Sequence, residues 1–201
     1  MLSLNQIAFN ITENMGDNSD VFIRRMKFTV LYYRAMMIRR DYSRNNYRPE
    51  SLLQELVFDT ENVTYHKDKF IRTKQKPPIP IRIKGPLFHY VGGTDRKTPY
   101  RFMYPEQMEY HNDNKWSCKI PGYSYIDGYI TLHNISSNKV LIRGVFEDPV
   151  EVGKLMGTGC VDDNAPFPIP MDMVEAITKG ILSGELSVRD ENADVADEIK
   201  M

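Results

Sequence analysis

The sequence predicts an α+β fold: helices from the N- and C-terminal ends pack together, and an antiparallel β domain is inserted between them. Three observations carry this. Apolar residues recur at helical spacing through residues 1–44. From residue 57 to residue 146 the pattern changes to short β-branched and aromatic runs, about ten residues apart and separated by Pro and Gly. A Pro-rich segment, Pro166–Pro170, then leads into another helical stripe. The resulting division is residues 1–56 as an N-terminal helical region, 57–146 as the β domain, 147–188 as a C-terminal helical region and 189–201 as a flexible acidic tail.

Ser3 and Gln6 have capping-box spacing, so each side chain is placed to satisfy a free backbone N–H at the start of a first helix. Leu4, Ala8, Ile11 and Met15 continue it as one apolar stripe, and Gly16-Asp17-Asn18 ends it. A second helix is expected from Asp20 to Arg44 and carries two apolar stripes. Phe28, Leu31, Ala35, Ile38 and Tyr42 form one; Ile23, Met26, Val30, Tyr33 and Met37 lie nearly opposite. The first suits packing on helix one. The second needs another partner, which is either the rest of the same subunit or a neighbouring copy. Pro49-Glu50-Ser51 opens a short helix over Leu52, Leu53 and Leu56.

The expected strands are Val57-Phe58, Val63 to Tyr65, Phe70 to Arg72, Ile81 to Ile83, His89 to Val91, Tyr100 to Met103, Lys115 to Ile120, Tyr129 to Leu132 and Val140 to Phe146. Asp127-Gly128, Ser137-Asn138 and Gly92-Gly93 read as turns. A short helix follows over Val150 to Met156. The three prolines of Pro166–Pro170 stiffen the chain before a last helix from Met171 to Ser183, with Met173, Val174, Ile177 and Ile181 inward and Gly184 at its end.

Charge is segregated although the chain sums to −1. Residues 21–48 hold eight Lys/Arg and only Asp41 as an acid, whereas residues 147–201 hold thirteen Asp/Glu against Lys154, Lys179, Arg189 and Lys200. A second basic stretch contains Lys67, Lys69, Arg72, Lys74, Lys76, Arg82 and Lys84. Opposite charge at opposite ends suits a subunit that docks on copies of itself or on unlike neighbours.

The chemistry of an enzyme is missing. None of the four histidines, His66, His89, His111 and His133, has metal-ligand spacing to another His or a Cys. Cys118 and Cys160 read as free thiols of a reducing cytoplasm. No phosphate-binding loop is present, and Asp162-Asp163 lacks the alternating oxygen ligands of a calcium loop. No catalytic residue, metal or cofactor is expected. No apolar run approaches a membrane span, and the N-terminus lacks the features of a signal peptide.

Three segments, in this order, resemble a known family: Tyr32-Tyr33-Arg34-Ala35-Met36-Met37-Ile38-Arg39-Arg40-Asp41, then Gly144-Val145-Phe146-Glu147-Asp148-Pro149, then Pro166-Phe167-Pro168-Ile169-Pro170-Met171-Asp172-Met173, continued by Ile177 and by Gly180-Ile181-Leu182-Ser183-Gly184-Glu185-Leu186. The chain is similar over residues 4–186 to the virion ring, or head–tail adaptor, proteins of crAss-like tailed bacteriophages. The resemblance implies a non-enzymatic subunit, made in the host cytoplasm and built into the neck or tail of the virion. It implies a ring, twelve-fold, around the DNA channel, with the portal and other neck and tail ring proteins as partners. The viral DNA would pass through without sequence-specific contact.

The expected oligomer interface comprises Ile23, Met26, Val30, Tyr33, Met37, Arg34, Arg39, Arg40, Phe167 and Ile169. Lys67, Lys69, Arg72, Lys74 and Lys76, with Asp190, Glu191 and Asp194, are the expected docking charges. Two rival readings differ in class. A nucleic-acid-binding module would use the basic segments 21–48 and 67–84 and show steep salt dependence. A small hydrolase would use Cys118 with a distant histidine and show rapid alkylation of that thiol.

Overall fold

A computed structural model of the chain describes residues 2–42, 50–65, 68–82, 86–107, 119–155 and 164–184. Residues 115–118 of the expected strand Lys115 to Ile120, the end of helix two at Arg44 and the acidic tail lie outside these residues; Lys119 and Ile120, the rest of that expected strand, form a turn. The chain divides into two compact units, Met1–Arg34 with Asn164–Met201, and Ala35–Asp163.

The first unit joins the two ends of the chain. Helix α1, Leu4–Met15, begins with the expected reciprocal cap: Gln6 N donates to Ser3 Oγ at 3.1 Å, and Ser3 N donates to Gln6 Oε1 at 2.9 Å. Gly16 stops it with φ of 78°, a left-handed conformation that costs glycine little. Leu4, Ile7, Ala8 and Ile11 are buried, whereas Met15, in the last turn, is exposed. Helix α2, Asp20–Met37, follows and continues into a π-helical turn, Ile38–Tyr42. Residues 164–170 return to α1: Phe167 N donates to Leu2 O at 3.0 Å, Ser3 bridges Pro166, and Asn5 Nδ2 donates to Asn164 Oδ1 at 2.9 Å. The C-terminal helix, Met171–Leu182, packs on α1 and buries Met173, Val174, Ile177 and Ile181 as expected.

The second unit is built on a seven-stranded, mostly antiparallel sheet. Its strands are β1 (Gln54–Tyr65), β2 (Asp68–Thr73), β3 (Tyr90–Gly92), β4 (Arg101–Phe102), β5 (Gly122–Ile126), β6 (Tyr129–His133) and β7 (Lys139–Gly144). Their order is β3-β7-β1-β2-β6-β5-β4. A short helix, α3 (Pro149–Leu155), follows, with Val150 N donating to Asp148 Oδ1 at 2.8 Å. We number Met171–Leu182 as α4.

Three strand expectations change. Val57-Phe58 and Val63 to Tyr65 belong to one 12-residue strand, β1. The polar stretch Asp59 to Asn62 reads as a break, but it is where β1 changes neighbours: Gln54 to Asp59 pair with β7, and Thr60 to Tyr65 pair with β2. Strand β5 lies where no strand is expected, because Gly122-Tyr123-Ser124-Tyr125 lacks an aliphatic run. Around Ile81 there is only an isolated bridge, Pro80 to Phe146, with Ile81 N donating to Val145 O at 2.8 Å. The Asp127-Gly128 turn stands: both residues have positive φ, 53° and 83°, as a tight β5–β6 hairpin requires.

The sheet closes on itself. Pro99 bridges Gly92, and Tyr100 N donates to Val91 O at 2.7 Å, so the segment before β4 pairs with the β3 edge. On its other side β4 pairs parallel with β5, and Met103 N donates to Tyr123 O at 2.8 Å. Both edge strands thereby gain partners. Inside lie Phe58, Phe88, Tyr123, Ile130, Ile142 and Phe146. Burial there pushes the Tyr123 phenol above its ordinary range.

Closure demands glycine at residue 92. A Cβ there would lie 2.6 Å from the Thr98 carbonyl oxygen, a backbone atom held by the same hairpin. Gly92→Ala should therefore destabilise the unit by about 1–3 kcal/mol in chemical denaturation. At Gly153, in α3, a Cβ would meet no atom within 4 Å. Gly153→Ala should leave stability unchanged or raise it by up to about 1 kcal/mol. Equal stability of the two variants would refute the close approach.

Candidate subunit interface

Helix α2 supplies most of the expected interface residues, and its two stripes settle which way it faces. Ser19 starts it, its carbonyl accepting from Ile23 N at 3.0 Å, and Asp20 places a negative charge at the positive end of the helix dipole. Met26 is 4% exposed and Val30 0%, and Arg34 and Met37 are buried on the same row. Ile23 and Tyr33 are half-buried at its margin. On the opposite row Val21 is 78% and Phe28 71% exposed, and Tyr32 is exposed with them.

Of the two alternatives the sequence leaves for the second stripe, burial within the chain is the one the structure shows; in the first stripe Ile38 is buried, Leu31 and Ala35 are half-buried and Phe28 is exposed. The Met26–Val30 stripe is covered in the single chain, and Phe28, read as inward, stands in solvent. Arg24 and Arg25 fall on the Phe28 row by helical spacing, which marks that row as the outer one. Arg34 hides the signal, because a cation on the inward row makes that row read as partly solvated.

The structure accommodates Arg34 inside the first unit. Arg34 Nε donates to Pro168 O at 2.9 Å, and its guanidinium carbon lies 5.6 Å from the centre of the Phe167 ring. Phe167 and Ile169, also expected at the interface, are buried. Arg34, Phe167 and Pro168 therefore form an internal clamp between α2 and the segment leading to α4, and Ile169 N donates to Phe167 O at 2.8 Å within that segment. Arg39 and Arg40 are exposed on the π-helical turn, and Arg39 forms an ion pair with Glu147 inside the second unit. Residues of the first resembling segment thus hold residues of the other two.

The docking charges are partly engaged. Arg72 Nε lies 2.9 Å from Glu61 Oε1, and its guanidinium sits 4.4 Å from the Tyr129 ring centre. Lys76 Nζ approaches the same ring at 5.1 Å. Lys74 is exposed. Lys67, the Lys69 side chain, and Asp190, Glu191 and Asp194 lie outside the described residues.

Helix α4 offers a second outer row. Met171, Glu175 and Leu182 are exposed on it, opposite the buried Met173, Ile177 and Gly180. A shallow, open groove of about 560 Å3 runs along this side, lined by Val174, Glu175, Thr178, Lys179, Leu182 and Ser183. No other described site gathers reactive groups in an accessible arrangement. Ser124 Oγ and His133 Nε2 are 2.8 Å apart, but Ser124 is fully buried and out of reach of a substrate. Among the described residues no cluster of His, Cys, Asp and Glu is placed to hold a metal ion. No described helix is long and apolar enough to cross a membrane.

Comparison with known proteins agrees with the resemblance read from the three segments. The family described as phage tail ring protein 2 matches residues 5–198, and the chain belongs to that family. No curated protein matches the chain.

The clamp makes a specific prediction. Arg34→Ala removes a charged donor from the part-buried Pro168 carbonyl and leaves a cavity where the buried side chain lay, so it should cost about 2–4 kcal/mol of stability. Amide exchange at Val174 and Ile177 should speed up with it, because α4 loses its anchored lead-in. Wild-type exchange rates at both positions would show that the clamp does not hold α4.

Proposed function

We propose, from its place among the phage tail ring proteins, that this chain is an architectural subunit of the virion whose copies close into a ring in the neck between portal and tail. The reading makes it an adaptor without catalytic activity. Twelve copies surround the channel through which viral DNA leaves, and the portal and other neck and tail rings are its neighbours. It is made in the host cytoplasm and ends in the particle.

One observation carries the reading beyond the family. The first unit buries one row of α2 and one row of α4 and leaves the opposite row of each open, with apolar residues in both. Two different open surfaces on one subunit are what a repeating contact between copies requires, and a closed rotation of such contacts is a ring. The nearly closed sheet of the second unit supports an architectural role in another way, because among the described residues the edge strand β3 is partly covered by the segment before β4. The cations of the second basic stretch fit this reading better than nucleic-acid binding, since Arg72 already faces Glu61 and Tyr129.

The test is native mass spectrometry and electron microscopy of the purified chain, beside images of intact virions. We expect a closed ring of twelve copies at low salt and the same ring on the tail axis of the particle. Assembly should weaken towards 1 M salt, where the screening length falls to about 3 Å. Removing residues 189–201 should lessen that salt response and leave the subunit folded. A chain that stays monomeric and binds duplex DNA with steep salt dependence would overturn the proposal.

A further inference from the structure

The two outer rows of the first unit match each other in length, spacing and charge. On α2 the row is Val21, Phe28 and Tyr32; on α4 it is Met171, Thr178 and Leu182. Both have the offsets 0, 7 and 11, so each spans about 16 Å at 1.5 Å per residue. Phe28 is the central residue of the first row. The groove beside Thr178, between Val174 and Leu182, is the centre of the second. Arg24 and Arg25 border the α2 row; Asp172 and Glu175 border the first half of the α4 row, and Lys179 borders its second half.

Resting on the ring reading, we infer that α2 of one copy lies parallel on α4 of the next, with Phe28 seated in the α4 groove and Arg24 opposite Glu175. Register follows from the charges. In the parallel alignment Val21 meets Met171, Arg24 reaches Glu175, Phe28 meets Thr178, and Tyr32 meets Leu182. In the antiparallel alignment Val21 meets Leu182, but Arg24 meets Lys179. Like charges placed together at a contact penalise that arrangement. Both registers place Val21 and Tyr32 on apolar residues, and the parallel one alone also brings Arg24 to a carboxylate.

The occupant of the groove is a second copy of this chain because the matching row is on this chain. Within one subunit α2 turns its Met26–Val30 row inward and α4 its Met173–Ile177 row, so both outer rows stay open. The contact uses a different surface from each copy. Every copy therefore keeps one free α2 row and one free α4 groove until the rotation closes. Phe28 supplies the large apolar anchor in a pocket, and the Arg24–Glu175 pair at the rim sets direction more than strength.

Photo-crosslinking tests the contact directly. The full-length chain carrying Phe28→p-benzoylphenylalanine is irradiated under conditions where the wild type forms rings, and the adducts are mapped by mass spectrometry. We expect covalent dimers whose adducts fall within residues 171–184. Adducts within α2, in residues 35–163, or only within single chains, including residues 185–201, overturn the inference. Charge exchange gives a second, independent reading. Arg24→Glu and Glu175→Arg should each raise the concentration needed for assembly about five- to tenfold, and the double variant should return to within about twofold of wild type. A double variant as defective as the two singles combined rejects the pair. Rings with adducts elsewhere sink this contact and leave the ring reading standing. A wild-type chain that never self-associates sinks both.

Discussion

A buried guanidinium governs the helical unit. Arg34 has no exposed surface, and a cation taken out of water costs several kcal/mol unless polar groups meet it. The Pro168 carbonyl and the Phe167 ring are among the groups that do. That requirement fixes where residues 166–170 must run, and the prolines on either side of Phe167 and Ile169 leave that backbone few alternatives. The rest of the unit follows. Phe167 also bonds the backbone at Leu2, Pro166 bridges Ser3, and α4 leaves from the end of the same segment. A surface arginine would impose none of this.

The same residue explains what was legible in the sequence and what was not. The Ser3–Gln6 cap, the stop at Gly16, the Asp127-Gly128 hairpin and the inward residues of α4 all depend on neighbours within a few positions, and the sequence shows them directly. The orientation of α2 depends on a partner 134 residues away. The sequence leaves the Met26–Val30 row a partner either in the same subunit or in a neighbouring copy, and Arg34 on that row gives no local reason to choose the first. Weighing Arg24 and Arg25 against Arg34 would have favoured the correct face, but only the distant Pro168 carbonyl explains why a cation can sit on the other. The strands show the same limit. The polar middle of β1 is a passage between neighbours, and β5 is held by pairing with β4 and β6, which its own Gly-Tyr-Ser-Tyr composition does not announce.

The two units solve their exposure in opposite ways. In the β unit Gly92 lets the hairpin before β4 come close enough to cover the β3 edge, so the strands leave little backbone for another chain to pair with. In the proposed ring, contacts repeated at every copy would fall to side chains on preformed helices. Such faces need no ordering of backbone on association, which keeps the entropic cost of each contact low. The helical unit leaves two such faces open, and the apolar residues on them are large.

The helical unit also sets a schedule. It is made from residues 1–34 and the residues after 163, so the ribosome must finish the whole β unit before the second half of the helical unit exists. Chains emerge N-terminal end first and domains fold as units, so the β unit is complete while α1 and α2 still wait for α4. A product cut short before residue 164 has neither the carbonyl that Arg34 needs nor the α4 groove. In the proposed ring, translation would thus proofread its own output: a polypeptide that stops before α4 would lack one of the two faces and could not take a place in the assembly.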